Sequence, residues 1–347
     1  MNEREKLRSE SLNLLRFPLA VVVLIIHVFN FNDPNLLGQE ITPDTTPIFQ
    51  EICYFIDGFL RGQSVPIYFF ISGYVFFLGI TLTRDVYKQK LRNRVKTLLI
   101  PFLIWETLAL LPWAVTQLLP VNFSVSPPSF NYVYPQNLPL WFIRDLMIVV
   151  IFTPAIYWLL THTRHYVICL LGLTWFALTY WDLERTNQLV TAFFFFSWGA
   201  YMSVNKKDML VEFGKFARMS VVLYLIFSMA YVASMHWFPD ASTTIKRLNI
   251  FIGLPFAYNF ASWLLRHKIC TPNTFLTAAS FFIYISHWLI FGKVLKLIIL
   301  FTHPATDLEI LAAYIATILL TLGILLSVFW LLRRYAPNLL KVVAGRK

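Results

Sequence analysis

Several apolar stretches of the chain, three of them with candidate reacting groups, carry ionisable side chains, which hydrocarbon tolerates only where they have a task or a partner. The first, SLNLLRFPLAVVVLIIHVF, holds Arg16 and His27. Eleven residues make close to three helical turns, so both side chains leave one face about 16 Å apart along the axis. A fixed cation at one end of a channel and a possible base at the other is one reading. The other has Arg16 snorkelling to inner phosphates and His27 hydrogen-bonded to a neighbouring helix. The second stretch, LPLWFIRDLMIVV, sets Trp141, Arg144 and Asp145 on one face. Asp145 either pairs with Arg144 or holds an imidazole tautomer. In the third, FFIYISHWLIF, Tyr284, His287 and Phe291 share a face, and His287 serves as an interhelical hydrogen-bonding group or as a reacting one. Glu106, within IPFLIWETL, is a lone carboxylate that needs a partner or a proton, and structural pairing suits it better.

Two further motifs bear on chemistry. Ser72-Gly73 in YFFISGYVFF reads as a close-packing device, because no Gly-x-Ser-x-Gly elbow surrounds the serine. The segment RDVYKQKLRNRVKTLLIP carries six cations, more than orientation in a membrane requires. Arg92 and Lys96 share a helical face there, which suits a phosphate-rich cytosolic ligand. Cys53, Cys169 and Cys270 have neither metal nor redox spacing, so packing cysteines and no metal are expected.

These residues need a scaffold, and composition defines it. Hydrophobic residues make up 58% of the 347 positions and charged ones 14%, with a mean hydropathy of +0.62. Soluble domains carry about a quarter charged residues. Helices satisfy their own backbone in lipid at this apolar density, whereas a barrel would show short alternating strands. The expected fold is therefore an all-α polytopic membrane protein forming a single domain over 1–347. About ten spans are expected, near 12–30, 64–83, 97–119, 138–160, 166–181, 189–204, 216–237, 245–265, 275–300 and 310–332. No cleavable signal is expected, since Leu12–Phe29 is too long for one and no A-x-A site follows.

Placing both termini inside puts most of the 29 Lys and Arg residues in cytoplasmic connections. Only Arg61, Arg185, Lys246 and Arg247 then fall outside. The net charge of +11 is thus distributed over short connections rather than along one face, which excludes nucleic acid as the partner. The segments 31–63, with its five acids, and 120–137 are long and extracytoplasmic on this topology, suggesting a ligand met from outside. No internal repeat is visible, which weakens an inverted-repeat transporter.

Arg16-x10-His27, with Leu14-Leu15 before it and Pro18 and Ala20 after it, resembles the first-helix motif of the acyltransferase-3 family. FFISGYVF at 69–76, the basic stretch ending at Pro101, LWFIRDL at 140–146 and FFIYISHWLIF at 281–291 are similar to that family in the same order. The resemblance spans residues 10–332 and is to the stand-alone form. One departure stands out: many members have Asp three residues before the motif's arginine, where this chain has Asn13.

The resemblance implies a multi-pass acyl-CoA-dependent O-acyltransferase of the bacterial cytoplasmic (inner) membrane. Such an enzyme moves an acyl group, by default acetyl from acetyl-CoA, to a hydroxyl of an extracytoplasmic polysaccharide or lipid-linked sugar. On that expectation Arg92, Arg94 and Lys96 hold the CoA phosphates, with Arg16 where the donor comes in. His27 is the general base, Arg144 stabilises the oxyanion or orients the acceptor, and Asp145 supports it. Trp141, Tyr284 and His287 would meet the substrate. A transporter or flippase lining its path with the same charges, or a non-catalytic receptor, are the competing classes.

Overall fold

The computed structural model describes residues 3–31, 44–118, 135–163, 165–178 and 184–345, which are helical with no strand among them. The loop acids Asp33 and Glu40, most of 120–137, Arg164, the Arg185 side chain, Arg346 and Lys347 lie outside the described residues. The helices are α1 (Glu3–Phe29), α2 (Pro47–Phe59), α3 (Ser64–Phe77), α4 (Arg84–Arg94), α5 (Ile100–Leu118), α6 (Trp141–Ile151) and α7 (Thr153–Thr163). There follow α8 (Tyr166–Ala177), α9 (Glu184–Val204), α10 (Ala217–Trp237), α11 (Pro239–Arg266), α12 (Thr274–Thr302), α13 (Asp307–Tyr335) and α14 (Pro337–Val343). Each of the ten expected spans overlaps a helix among the described residues, not always over its full length. Among the described residues six helices are long and apolar enough to cross a membrane, and the α6–α7 pair makes a seventh if counted as one span. The shorter α3 and α8, at 14 and 12 residues, reach about 21 and 18 Å.

Sequence chemistry explains the breaks. α6 and α7 meet at 61°, where an unbroken span at 138–160 was expected. Pro154 has no N–H for the Val150 carbonyl, and the Thr153 hydroxyl takes that carbonyl instead at 2.7 Å. The expected 64–83 span stops at Phe77, just before Gly79 at φ +69°. The basic stretch is itself helical and runs through a π-turn at Val95–Leu99 into α5. Lys90 donates to the Phe76 carbonyl and fixes α4 beneath α3.

α3 is apolar all round and most of its side chains are buried, as a helix without a polar face must be. Its closest partner is α9. A Cβ on Gly73 would lie 2.0 Å from the Phe196 carbonyl oxygen, and one on Gly199 would lie 2.0 Å from that of Phe70. Ser72-Gly73 is thus part of a backbone-to-backbone contact. α1 packs between α11 and α12, while α13 lies against α12 and exposes Leu319, Leu320, Ile324 and Leu331 outward. Outward leucines on so apolar a chain are what a lipid face requires.

Within the expected outer loop 31–63, α2 packs on α10 and α13. Asp307 caps it from far along the chain, accepting from Ile48 N at 2.6 Å and Phe49 N at 3.0 Å. A carboxylate there satisfies orphan donors and faces the positive helix end.

Candidate active site

Because α1 and α12 pack side by side, His27 and His287 meet. His27 Nδ1 lies 2.8 Å from the Val23 carbonyl and 3.2 Å from His287 Nε2. His287 Nδ1 lies 2.7 Å from the Tyr284 carbonyl and 3.1 Å from that of Ile283. Carbonyl oxygens only accept, so each neutral ring carries its proton on Nδ1. The His27 Nδ1–H is then shared between Val23 O and the bare Nε2 of His287. Among the described residues His27 Nε2 has no hydrogen-bond partner and is left as a lone pair. The ring centroids are 5.1 Å apart, and Trp288 stands edge-on to His27 at 5.5 Å.

His27 lines a cavity of about 820 Å³ with Trp141, Trp175, Arg61, Lys246 and Arg247 among its other walls. The start of α6, which carries Trp141, is held by two anchors. Glu106 accepts from Gln136 N at 2.6 Å and Asn137 N at 3.2 Å, which gives this half-buried carboxylate its structural partners. Asn137 Nδ2 donates to Ile285 O at 2.8 Å, and the Tyr284 hydroxyl donates to Pro139 O. The same turn of α12 that presents His287 therefore fixes the position of Trp141. Arg144 Nε donates to Asp145 Oδ1 at 3.0 Å, and its NH2 group reaches Gln188 Oε1, on the cavity wall, at 3.5 Å. Asp145 is fully buried. The imidazole tautomers are set by carbonyls and by the partner ring, and Asp145 pairs with Arg144.

A second cavity of about 580 Å³ lies at the other end of the same α1 segment, lined by Asn13, Arg16, Arg94, Thr97, Thr277 and Phe281 among others. Among the described residues neither Arg16 nor Arg94 has a carboxylate partner, so two cations face this space. Arg92 and Lys96 are exposed and do not line it. The stretch between the cavities is occupied by rings: the Tyr68 hydroxyl donates to Arg16 O at 2.7 Å, and Tyr68 meets Phe142 and Tyr284 at 5.9 and 6.4 Å between centroids.

The structure thus gathers His27 and Trp141 on one wall and sets Arg144 just behind it. It joins Arg16 to Arg94 at the other end. Tyr284 and His287 are buried behind the His27 cavity rather than on its surface. Sequence reasoning assigned no role to Trp175, Asn187 or Gln188, nor to Arg61, Lys246 and Arg247. The last three had a signal: on the expected topology they stand among the few cations outside the cytoplasmic connections.

The helical bundle thus sets the His27 imidazole in one cavity and Arg16, on the same helix, with Arg94 in another. Residues 9–332 match the acyltransferase domain family, and the chain belongs to it. It is a multi-pass membrane acyltransferase, which decides against the carrier and receptor readings. It is 25% identical to the succinoglycan biosynthesis protein ExoH of Rhizobium meliloti (strain 1021) over 363 aligned positions, covering 98% of this chain and 92% of that protein. No solved structure matches the chain.

Proposed function

We propose that this protein transfers an acyl group from acyl-CoA, held at the Arg16 cavity, to a hydroxyl of a polysaccharide or lipid-linked sugar in the His27 cavity. The observation that carries the proposal is the His27 Nε2, unpartnered among the described residues, at the wall of a cavity of about 820 Å³. In the reaction, the acceptor hydroxyl gives its proton to His27 Nε2 while its oxygen attacks the thioester carbonyl. The C–S bond breaks, the CoA thiolate leaves, and His27 returns the proton to the sulfur. An ester and free CoA result. His287 holds the Nδ1–H of His27 throughout, so the ring keeps one orientation as its charge changes.

Arg16 and Arg94 suit the CoA phosphates, which are dianionic and cytosolic. The pantetheine arm would pass the Tyr68–Phe142–Tyr284 rings to bring the thioester to His27. Arg144 orients the acceptor through Gln188, and Trp141 and Trp175 offer faces for sugar rings. The relative's attachment to succinoglycan biosynthesis supports a glycan acceptor. Acetyl is the default acyl group. The setting is the bacterial cytoplasmic membrane, with ten spans and both termini inside.

Purified protein in nanodiscs, given labelled acetyl-CoA and cell-envelope glycan, should transfer label to the glycan, and His27→Ala should abolish this while acyl-CoA binding persists. Full transfer by His27→Ala removes the imidazole from the chemistry.

A further inference from the structure

The His27 cavity carries more positive than negative charge. Arg61, Lys246 and Arg247 line one side of it. Among the described residues Asp57 is the only carboxylate paired with any of them, at 2.7 Å from Arg61 and 4.0 Å from Lys246. Arg247 has neutral partners: it stacks 4.8 Å over the Trp175 ring and donates to Asn187 Oδ1 at 3.2 Å. These groups are not solvated surface charges, since the Lys246 and Arg61 side chains are 23% and 33% exposed. They are also held in place. The Asn249 side chain donates to Gly58 O at 2.7 Å and its backbone carbonyl accepts from Gln63 Nε2 at 3.2 Å, clamping the turn that carries Arg61 beside α11. On the proposed topology orientation gives no reason for them, because the positive-inside asymmetry disfavours cations on that side. Partly desolvated like charges repel one another, and an arriving anion relieves that cost.

We infer that this wall binds an oxyanion, a carboxylate or phosphate, borne by a ligand of the His27 cavity. This deepens the acyl-transfer reading and rests on it only for what the ligands are. The anion has two possible carriers: an acidic acceptor sugar, or the distal carboxylate of a dicarboxylic acyl chain. Planar Arg247, held by a ring and an amide, suits a forked oxyanion, with Lys246 beside it as a point charge.

The test uses the full chain in nanodiscs of uncharged lipid, in a His27→Ala background so that nothing turns over. Binding of trigalacturonate is compared with its neutral methyl ester, and of glucose 1-phosphate with methyl glucoside. In a separate arm succinyl-CoA is compared with acetyl-CoA. The inference expects a preference of about tenfold for the anionic member in at least one arm. Preference among the sugars makes the acceptor the carrier; preference among the CoA esters makes it the acyl chain. Lys246→Gln with Arg247→Gln should erase the preference, leaving Arg61 to balance Asp57, whereas Lys246→Arg with Arg247→Lys should keep it. Equal binding in every arm, or a preference that survives the neutralised pair, overturns the inference. Anion preference in a protein that shows no acyl transfer with His27 intact would instead sink the acyl-transfer reading and leave this one standing.

Discussion

His287 Nε2 stands 3.2 Å from His27 Nδ1, so the imidazole at the cavity wall is backed by a second imidazole rather than by a carboxylate. A neutral acceptor stabilises an imidazolium less than a carboxylate would, but it keeps the buried pair free of charge at rest. When His27 takes a proton on Nε2, its Nδ1–H becomes a charge-assisted donor and the contact with His287 strengthens. On the proposed mechanism that contact offsets part of the cost of charging a buried ring.

Removing His287 should therefore slow chemistry without weakening donor binding. His287→Ala is expected to lower kcat by about tenfold to a hundredfold, a part of what a general base supplies, with the KM for acyl-CoA unchanged. His287→Gln, whose amide oxygen still accepts, should recover part of the loss. Steady-state kinetics with varied acyl-CoA reads both, and a change confined to KM would assign His287 to binding.

The cations of the basic stretch divide by position. Arg94 shares a cavity with Arg16, while Arg92 and Lys96 are exposed and do not line it. Arg94→Gln should raise the KM for acyl-CoA by about tenfold, the worth of one charge-assisted contact, and Arg92→Gln should change it far less. The acceptor KM should stay constant in both. Equal effects from Arg92 and Arg94 would mean that the CoA phosphates lie along the outer surface of α4.

The α3–α9 contact has no room for a methyl group. Gly73→Ala drives a Cβ into the Phe196 backbone, and backbone cannot rotate aside as a side chain can. A loss of about 1–3 kcal/mol or more is expected, read as a lower thermal midpoint in detergent. An unchanged midpoint would show that the two helices pack further apart.

Glu106 tests how α6 is held. Glu106→Ala strips the acceptor from two backbone N–H groups ahead of Trp141, at a cost of about 1–3 kcal/mol per unsatisfied donor. Acceptor KM should rise because Trp141 is displaced, and the donor KM should hold. A stable variant with native kinetics would show that Asn137 and Tyr284 suffice.

Much of this was legible in the sequence because membrane spans announce themselves by length and apolarity. The three charged stretches were marked by the cost of their charges. Cross-chain pairing was not legible: nothing near His27 in sequence indicates that its Nδ1 meets a ring 260 residues away. Helix α2 lay hidden for a similar reason, since its cap is Asp307, 259 residues beyond Ile48. Pro154 did mark the bend between α6 and α7, but proline also sits inside α1, α5 and α11. The outer cations were visible as exceptions to an asymmetry, and only packing shows that three of them face one space.

The account turns on whether a thioester delivered at the Arg16 cavity reaches His27. Acyl-CoA bearing a photoreactive diazirine at the acyl terminus, supplied only to the cytoplasmic face of sealed vesicles, reports this directly. The account predicts adducts on the His27 end of α1 and on Trp141, lost when unlabelled acyl-CoA competes. Adducts confined to Thr277, Phe281 and their neighbours, with none on the His27 wall, would contradict it.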